Sequence, residues 1–459
     1  MLKLFSLLAL CVFFLPNHCH AQVLKLYDAV NKAIAWYPLL QQRQSEIAAG
    51  RAHITTVNNN RLPSLIMQDQ LNAATNNGLQ GSYLTSGMVP STPGTNNSAL
   101  QNNNPNPNNV ALTFLQWEFY NFGYYNAQKK LAKAQVAVGE ASLGSDRYLL
   151  TMNIVSLYLD WLKKYRLLQI QDENMQRAQV MVTAIRANVQ SGLKPGVDSS
   201  TASAAFSDAR ISYLQALDAY NIDQIALASF TGLSMKNIVP DTTIINRALL
   251  QGTNFQTDSV PLSHPLLNVY QKQYEQQLID NDAIAKKYLP KLSMNGVAWQ
   301  RNSGISYTGS YPESISDGLP YSKYNYMFGM TFTYNLFDLK HRHDQLIEGR
   351  FQALAKTSAL QNEALMLNRM VQQANSSYAT TLLKLKELPM QLNSAQQAYL
   401  QQMALYRSGL NTLIEVTNAQ YTLMQAETND VLTRDELLQL QYIQAGLAGQ
   451  SDIFLQNFK

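Results

Sequence analysis

The chain has 459 residues, with 35 Lys and Arg against 31 Asp and Glu, a net charge of +4. An excess so slight and dispersed is too weak a footprint for nucleic acid. After the N-terminal segment no run of 18 consecutive apolar residues occurs, so no helix is expected to cross a membrane and any entry into one must be as a β-barrel.

Met1 to Ala21 carries one positive charge at Lys3, an apolar run from Leu4 to Pro16, and Asn17-His18-Cys19-His20-Ala21 before Gln22. This predicts a secretory signal cut after Ala21, since the run is shorter than the roughly 20 residues of a spanning helix. A lipoprotein site at Cys19 is the rival, with Pro16-Asn17-His18 before it rather than small apolar residues. Both cysteines, Cys11 and Cys19, lie in the segment removed, so the exported chain has no disulfide and a net charge of +3.

After a first helix opening on Pro38-Leu39-Leu40, Leu62-Pro63-Ser64-Leu65 leads into strands predicted near Leu65 to Ala74 and Val110 to Phe119. Between them Gln70 to Trp117 has no charge and is loaded with Asn, Gly and Pro, the composition of an irregular loop. From Asn121 to Gln190 there is no proline. Leu131, Ala134, Val138, Ala141, Ser145, Tyr148, Met152, Val155, Leu159 and Leu162 recur there at spacings of three and four, a coiled-coil seam. Such a helix is on the order of 100 Å long. A turn at Ser191-Gly192-Leu193 follows, then a helix whose Ala202, Ala205, Ala209, Ser212, Ala216 and Ala219 permit close approach.

The second half repeats the first. Pro265-Leu266-Leu267 and Leu289-Pro290-Lys291-Leu292 restore the opening, and Ser408-Gly409-Leu410, Glu415, Ala419 and Gly449 stand at a constant offset of 217 from Ser191-Gly192-Leu193, Asp198, Ala202 and Gly232. We read two structural repeats, 22–231 and 263–459, joined by an equatorial segment over 232–262. In the second, strands are predicted from Leu292 to Arg301 and through Tyr324, Tyr326, Phe328, Met330, Phe332 and Tyr334. These last alternate with Asn325, Met327, Gly329, Thr331, Thr333 and Asn335. A face apolar in the middle and tyrosine-rich at its ends reads as lipid-facing. The loop between these strands carries Glu313, Asp317 and Lys323, and the helix Leu339 to Arg407 holds Pro389, predicting a kink or break.

Four strands cannot close a membrane barrel, which needs at least about eight, and open edges in lipid are costly. The chain is therefore expected to oligomerise, as two copies with eight strands or three with twelve. The expected fold is mainly α, a long helical coiled-coil barrel with a membrane β-barrel portion of four strands per chain.

Taken together, the Pro-Leu-Leu starts, the Leu-Pro-x-Leu steps, the junctions Phe119-Tyr120-Asn121-Phe122-Gly123 and Leu336-Phe337-Asp338-Leu339-Lys340, and the stretch from Tyr406 to Gln420 resemble TolC-type outer membrane efflux proteins. Lys340 where the first copy has Gly123 departs from that pattern and bears on the junction's geometry. The resemblance spans nearly the whole exported chain. It implies a homotrimer with a twelve-stranded barrel among outer membrane lipid and a helical tunnel in the periplasm. It also implies docking on a periplasmic adaptor protein and an inner-membrane pump of RND or ABC type. By the same resemblance Gly192, Leu193, Gly409 and Leu410 form the adaptor-contact tip, while Glu415 and Asn418 fall on lumen-facing positions. Asp198 and Tyr406 count to similar depth from the two turns, which suggests a gate contact between them. Glycine also suits a helix end in its own right, and Asp198 suits a helix N-terminus.

Enzymatic chemistry finds little purchase. His18 and His20 leave with the signal, His53 and His264 are isolated, and His341 and His343 point to different sides of a helix. No phosphate loop, zincin motif or nucleophile elbow occurs, so neither a cofactor nor a metal is expected. Two function classes remain, a passive exit duct for efflux or type I secretion, and an outer-membrane-anchored coiled-coil protein with a structural or adhesive role.

Overall fold

A computed structural model describes residues 22–75, 77, 103–234, 238–251, 255–306, 310 and 314–459. The expected export signal, the middle of the first hairpin loop and Glu313 lie outside the described residues. In chain order the elements are β1 (Gln22–Leu24), α1 (Leu26–Trp36), α2 (Pro38–Asn59), β2 (Ser64–Ala74), β3 (Asn106–Tyr120), α3 (Tyr124–Gln190), α4 (Gly196–Thr231), β4 (Ile238–Pro240), α5 (Ile244–Gln251), α6 (Pro265–Lys287), β5 (Lys291–Ser303), β6 (Lys323–Thr333), α7 (Asp338–Arg407), α8 (Leu413–Leu447) and α9 (Ser451–Gln456). The fold is mainly α with one four-stranded antiparallel sheet, in line with the periodicities of the sequence. Among the described residues no helix is long and apolar enough to cross a membrane.

The described residues form two compact units, one from 22–47, 137–273 and 356–459, the other from 48–136 and 274–355. Each sequence repeat contributes to both.

The second unit holds the sheet, ordered β2-β3-β5-β6, so the hairpin of one repeat pairs with that of the other through β3 and β5. Strand partners directly opposite share a face, and the register sorts most of the side chains, with Asp69 and Gln300 as exceptions on the apolar face. Leu65 pairs with Leu115, Met67 with Thr113, Trp117 with Met294, Ala298 with Tyr326 and Leu292 with Phe332, all on one largely apolar face. Gln116 pairs with Asn295, Glu118 with Ser293 and Arg301 with Lys323 on the other, where Lys291 also reaches Glu118 at 3.4 Å. Among the described residues β2 and β6 end the sheet with unpaired edges.

The strand-to-helix junctions differ between repeats. Phe122 and Gly123 take φ of 50° and 90°, and α3 starts at Tyr124. Lys340, the counterpart of Gly123, is already helical because α7 starts at Asp338. A left-handed residue is free for glycine and costly for lysine, so the second helix begins three residues earlier in register. Asn335 supports that start, accepting from the Phe337 N–H at 3.2 Å and donating to Asp338 at 2.9 Å.

In the first unit α3 is buried around most of its circumference near its middle, where Ile154, Val155, Tyr158, Leu159, Trp161 and Leu162 are all fully enclosed. The seam expected there is thus part of a wider packed layer, with Leu26, Leu227, Ile244, Leu438 and Phe454 around it. Tyr158 ties in the parallel β1–β4 pair, donating to the Leu24 carbonyl at 2.6 Å and accepting from the Asp241 N–H at 2.9 Å.

A break at Pro389 does not occur, for α7 runs unbroken over 70 residues. Proline removes one donor to the carbonyl four residues back. Pro389 stands on the exposed side, where water can serve the Leu385 carbonyl, while neighbouring Leu388 stays buried.

Candidate functional site at the paired helix turns

The two turns have the same backbone. Gly192 and Gly409 take φ of 77° and 78°. Leu193 N–H bonds the Asn188 carbonyl at 2.8 Å and Leu410 N–H the Leu405 carbonyl at 2.9 Å, while each glycine N–H bonds the carbonyl three residues back. This is the Schellman closure, which needs a left-handed residue. A Cβ at either glycine would meet nothing within 4 Å, so conformation alone demands glycine there. Leu193 and Leu410 are 73% and 78% exposed, unusually open for apolar side chains this large.

Beyond the turns Lys194-Pro195-Gly196-Val197-Asp198 stands where the second repeat has Asn411-Thr412-Leu413-Ile414-Glu415. In the second, Thr412 precedes α8 and its N–H and hydroxyl both bond the Glu415 carboxylate at 3.0 Å, a capping box. In the first, the matching position is Pro195, which has no N–H to give. Asp198, the counterpart of Glu415, faces another helix instead and accepts from the Tyr406 hydroxyl at 3.2 Å. Lys194 Nζ stands 4.5 Å from the centre of the Tyr406 ring, within the range of a cation–π attraction. Burial, reinforced by the Asp198 charge, pushes the Tyr406 phenol up to about 12, which keeps it a proton donor.

Tyr406 belongs to a small core where the ends of α3, α4, α7 and α8 meet, with Met181, Val182, Ile185, Ala202, Leu413 and Val416. Beside it an open groove of ≈ 910 Å³ runs between α3 and α7, lined by Val180, Met181, Tyr399 and Met403 with Arg177 and Arg407.

Of the residues singled out in the sequence, Asp198 and Tyr406 are brought into contact, and the glycines and leucines crown the turns. Glu415 and Asn418 lie one turn apart on the exposed face of α8, and no hydrogen bond among the described residues joins them to the pair. Three features escape sequence reading. The Thr412–Glu415 box was available from its Thr-x-x-Glu spacing. The Arg177–Glu427 bidentate pair at 3.1 and 2.8 Å and the buried Gln420–Asn174 bond at 2.8 Å join residues about 250 apart and carry no local signal.

Several solved structures share this fold. The channel-forming CusC superposes with a TM-score of 0.72 at 13% identity over 92% of each chain. The Campylobacter jejuni outer membrane channel CmeC gives 0.71 at 14% over 95% of this chain and 90% of its own. The Vibrio cholerae outer membrane protein VceC gives 0.69 at 13% over 93% and 96%. The fold is that of the TolC-type channels. No curated protein matches the chain. Residues 29–233 and 263–442 match the outer membrane efflux protein family, and the chain belongs to that family, whose members are exit ducts of efflux systems in the outer membrane.

Proposed function

We propose that this protein is the passive outer membrane duct of a tripartite efflux or type I secretion system, closed at rest near the helix turns. The observation that carries the membrane part is the sheet. One face is apolar over most of the four strands, with Asp69 and Gln300 on it toward the hairpin loops, the other bears most of the polar residues, and among the described residues both edges are unpaired. Open edges in lipid leave backbone groups unsatisfied at several kcal/mol each. Copies of the chain close them, and three copies give the twelve strands of the family resemblance. The tyrosine-rich face meets lipid and the polar face lines the pore.

Leu193 and Leu410 then serve as knobs for a periplasmic adaptor, which links the duct to an inner-membrane pump of RND or ABC type. Gly192 and Gly409 set the turns that present them. Tyr406 and Asp198 latch neighbouring helix hairpins, and Glu415 with Asn418 lines the mouth, a ring of one acid per chain that biases it toward cations. Energy comes from the pump.

Native mass spectrometry of the protein released from nonionic detergent tests the assembly. Three chains are expected. A monodisperse monomer that keeps its β signal would overturn both the strand count and the duct.

A further inference from the structure

The tyrosine-rich face of the sheet has a furrow along its middle. The two inner strands place small side chains there, Ala111 and Thr113 of β3 and Ala298 and Gly296 of β5, and the outer strands flank them with Leu65 and Met67 on one side and Tyr324, Tyr326 and Phe328 on the other. A Cβ at Gly296 would stand 3.5 Å from the Phe328 ring and 3.7 Å from Leu115, so glycine keeps the floor low between tall neighbours. The furrow follows the strands for about 14 Å from the Asp69 row to the Leu65 row, and its loop-side half is a hollow of ≈ 610 Å³.

At the loop-side end the cross-strand row is Asp69, Ala111, Gln300 and Tyr324. Asp69 is exposed, and among the described residues nothing donates to its carboxylate. Residues 70–117 contain no lysine or arginine, so the chain joining β2 to β3 has no cation to offer. Arg301 and Lys323 stand on the other face. A second copy supplies no cation either, because β6 would bring Tyr324, Tyr326, Phe328, Met330 and Phe332 beside β2 on this face. Gln300 lies eight residues from Leu292 at the far end of the apolar face, about 27 Å along the strand and about 20 Å of height at a tilt of about 40°. That is most of the roughly 25 Å apolar band of a membrane barrel, so the Asp69 row stands at its border. An acid at that border, with an apolar furrow leading from it, is the complement of a cation that carries its own apolar chain.

We propose that this furrow holds one membrane lipid whose head group carries a primary ammonium, with the ammonium on Asp69, the phosphate toward the Gln300 amide and the Tyr324 hydroxyl, and one acyl chain over Ala298 and Gly296. The proposal rests on the reading that this face meets lipid. A primary ammonium brings three donors to a carboxylate that can only accept, and such charge-assisted bonds are roughly twice as strong as neutral ones. A trimethylated ammonium has the same charge and no N–H, and a phosphoglycerol head brings a net negative charge toward the acid, so both should bind more weakly.

The test is native mass spectrometry of the full chain in nonionic detergent, titrated with phosphatidylethanolamine, phosphatidylcholine and phosphatidylglycerol of identical acyl chains. One phosphatidylethanolamine per chain is expected, held about tenfold more tightly than either of the others. Asp69→Asn should bring its affinity down to that of phosphatidylcholine, and Asp69→Glu should keep it. Ala298→Phe, which fills the furrow, should weaken all three lipids and leave the order among them unchanged. Equal retention of the three lipids, or a preference that survives Asp69→Asn, overturns the site. A preference for phosphatidylglycerol that appears with magnesium puts a metal-bridged phosphate on Asp69 and overturns the ammonium. Insertion into vesicles that is impaired by Phe328→Lys and not by Asn325→Lys, with no lipid preference in detergent, sinks the site and keeps the lipid-facing reading. Insertion impaired by Asn325→Lys in place of Phe328→Lys sinks that reading and the site with it.

Discussion

Tyr406 donates its hydroxyl to Asp198 across 3.2 Å, and Asp198 is available because Pro195 withholds the N–H that the equivalent Glu415 captures from Thr412. Proline in place of threonine, with aspartate in place of the longer glutamate, thus decides whether the acid at the third helical position caps its own helix or reaches a neighbour. A charge-assisted bond of this kind contributes roughly 1.5–3 kcal/mol when shielded from water.

Pro195→Thr should therefore weaken the contact by giving Asp198 a capping partner. In a double-mutant cycle on thermal stability, the coupling between Tyr406→Phe and Asp198→Ala is expected to fall from about 1.5–3 to about 0.5 kcal/mol or less in the Pro195→Thr background. Undiminished coupling would show that the proline plays no part.

The exposed leucines are expected to act in docking and not in folding. Leu193→Asp with Leu410→Asp should abolish export while trimer mass and membrane insertion stay unchanged, since neither side chain contributes to a core. Export at the wild-type level in cells carrying this variant would mean that docking lies elsewhere.

Much of this was legible in the sequence, and the reasons are local. Gly192 and Gly409 announce left-handed helix ends, and the alternation from Tyr324 to Thr333 announces a strand of two unlike faces. The depth of Tyr406 and Asp198 follows from counting residues along helices. What stayed hidden depends on contacts distant in the chain. The β1–β4 pair involves only three residues on each strand, too few for any period to register. Pro389 signals a break that a long packed helix overrides, and the joining of the two hairpins through β3 and β5 exists only once four strands are in register.

The two faces of β6 make opposite predictions for charge. Phe328→Lys should impair insertion, at about 2–4 kcal/mol for a cation at the lipid midplane, whereas Asn325→Lys on the other face should be tolerated. The fraction folded in vesicles reads both. Equal tolerance would mean that the faces have been exchanged.

A buried acid gives the fold a pH dependence of its own. Asp435, 4% exposed, lies 3.4 Å from Lys163 and is bonded by Gln439 at 3.0 Å. Burial, opposed by Lys163, pushes its carboxyl from 3.8 up to about 6. The folded state thus holds a proton that the unfolded chain has released between about pH 4 and 6, so this group's contribution to stability falls as pH rises through that window and is level above it. The loss amounts to about 3 kcal/mol at most. Asp435→Asn should flatten that part of the melting profile, and a slope unchanged in the variant would assign it to another group.

Single-channel recording in planar bilayers bears most directly on the claim that the protein is a duct latched at its helix turns. The wild type is expected to give discrete, low-conductance openings without any adaptor. Tyr406→Phe with Asp198→Ala should raise the conductance, and Glu415→Gln should chiefly lower the preference for cations. A barrel that stays sealed in all three contradicts the duct. Wild-type conductance in the double variant, with opening by Glu415→Gln, contradicts the latch and makes the acidic ring the gate.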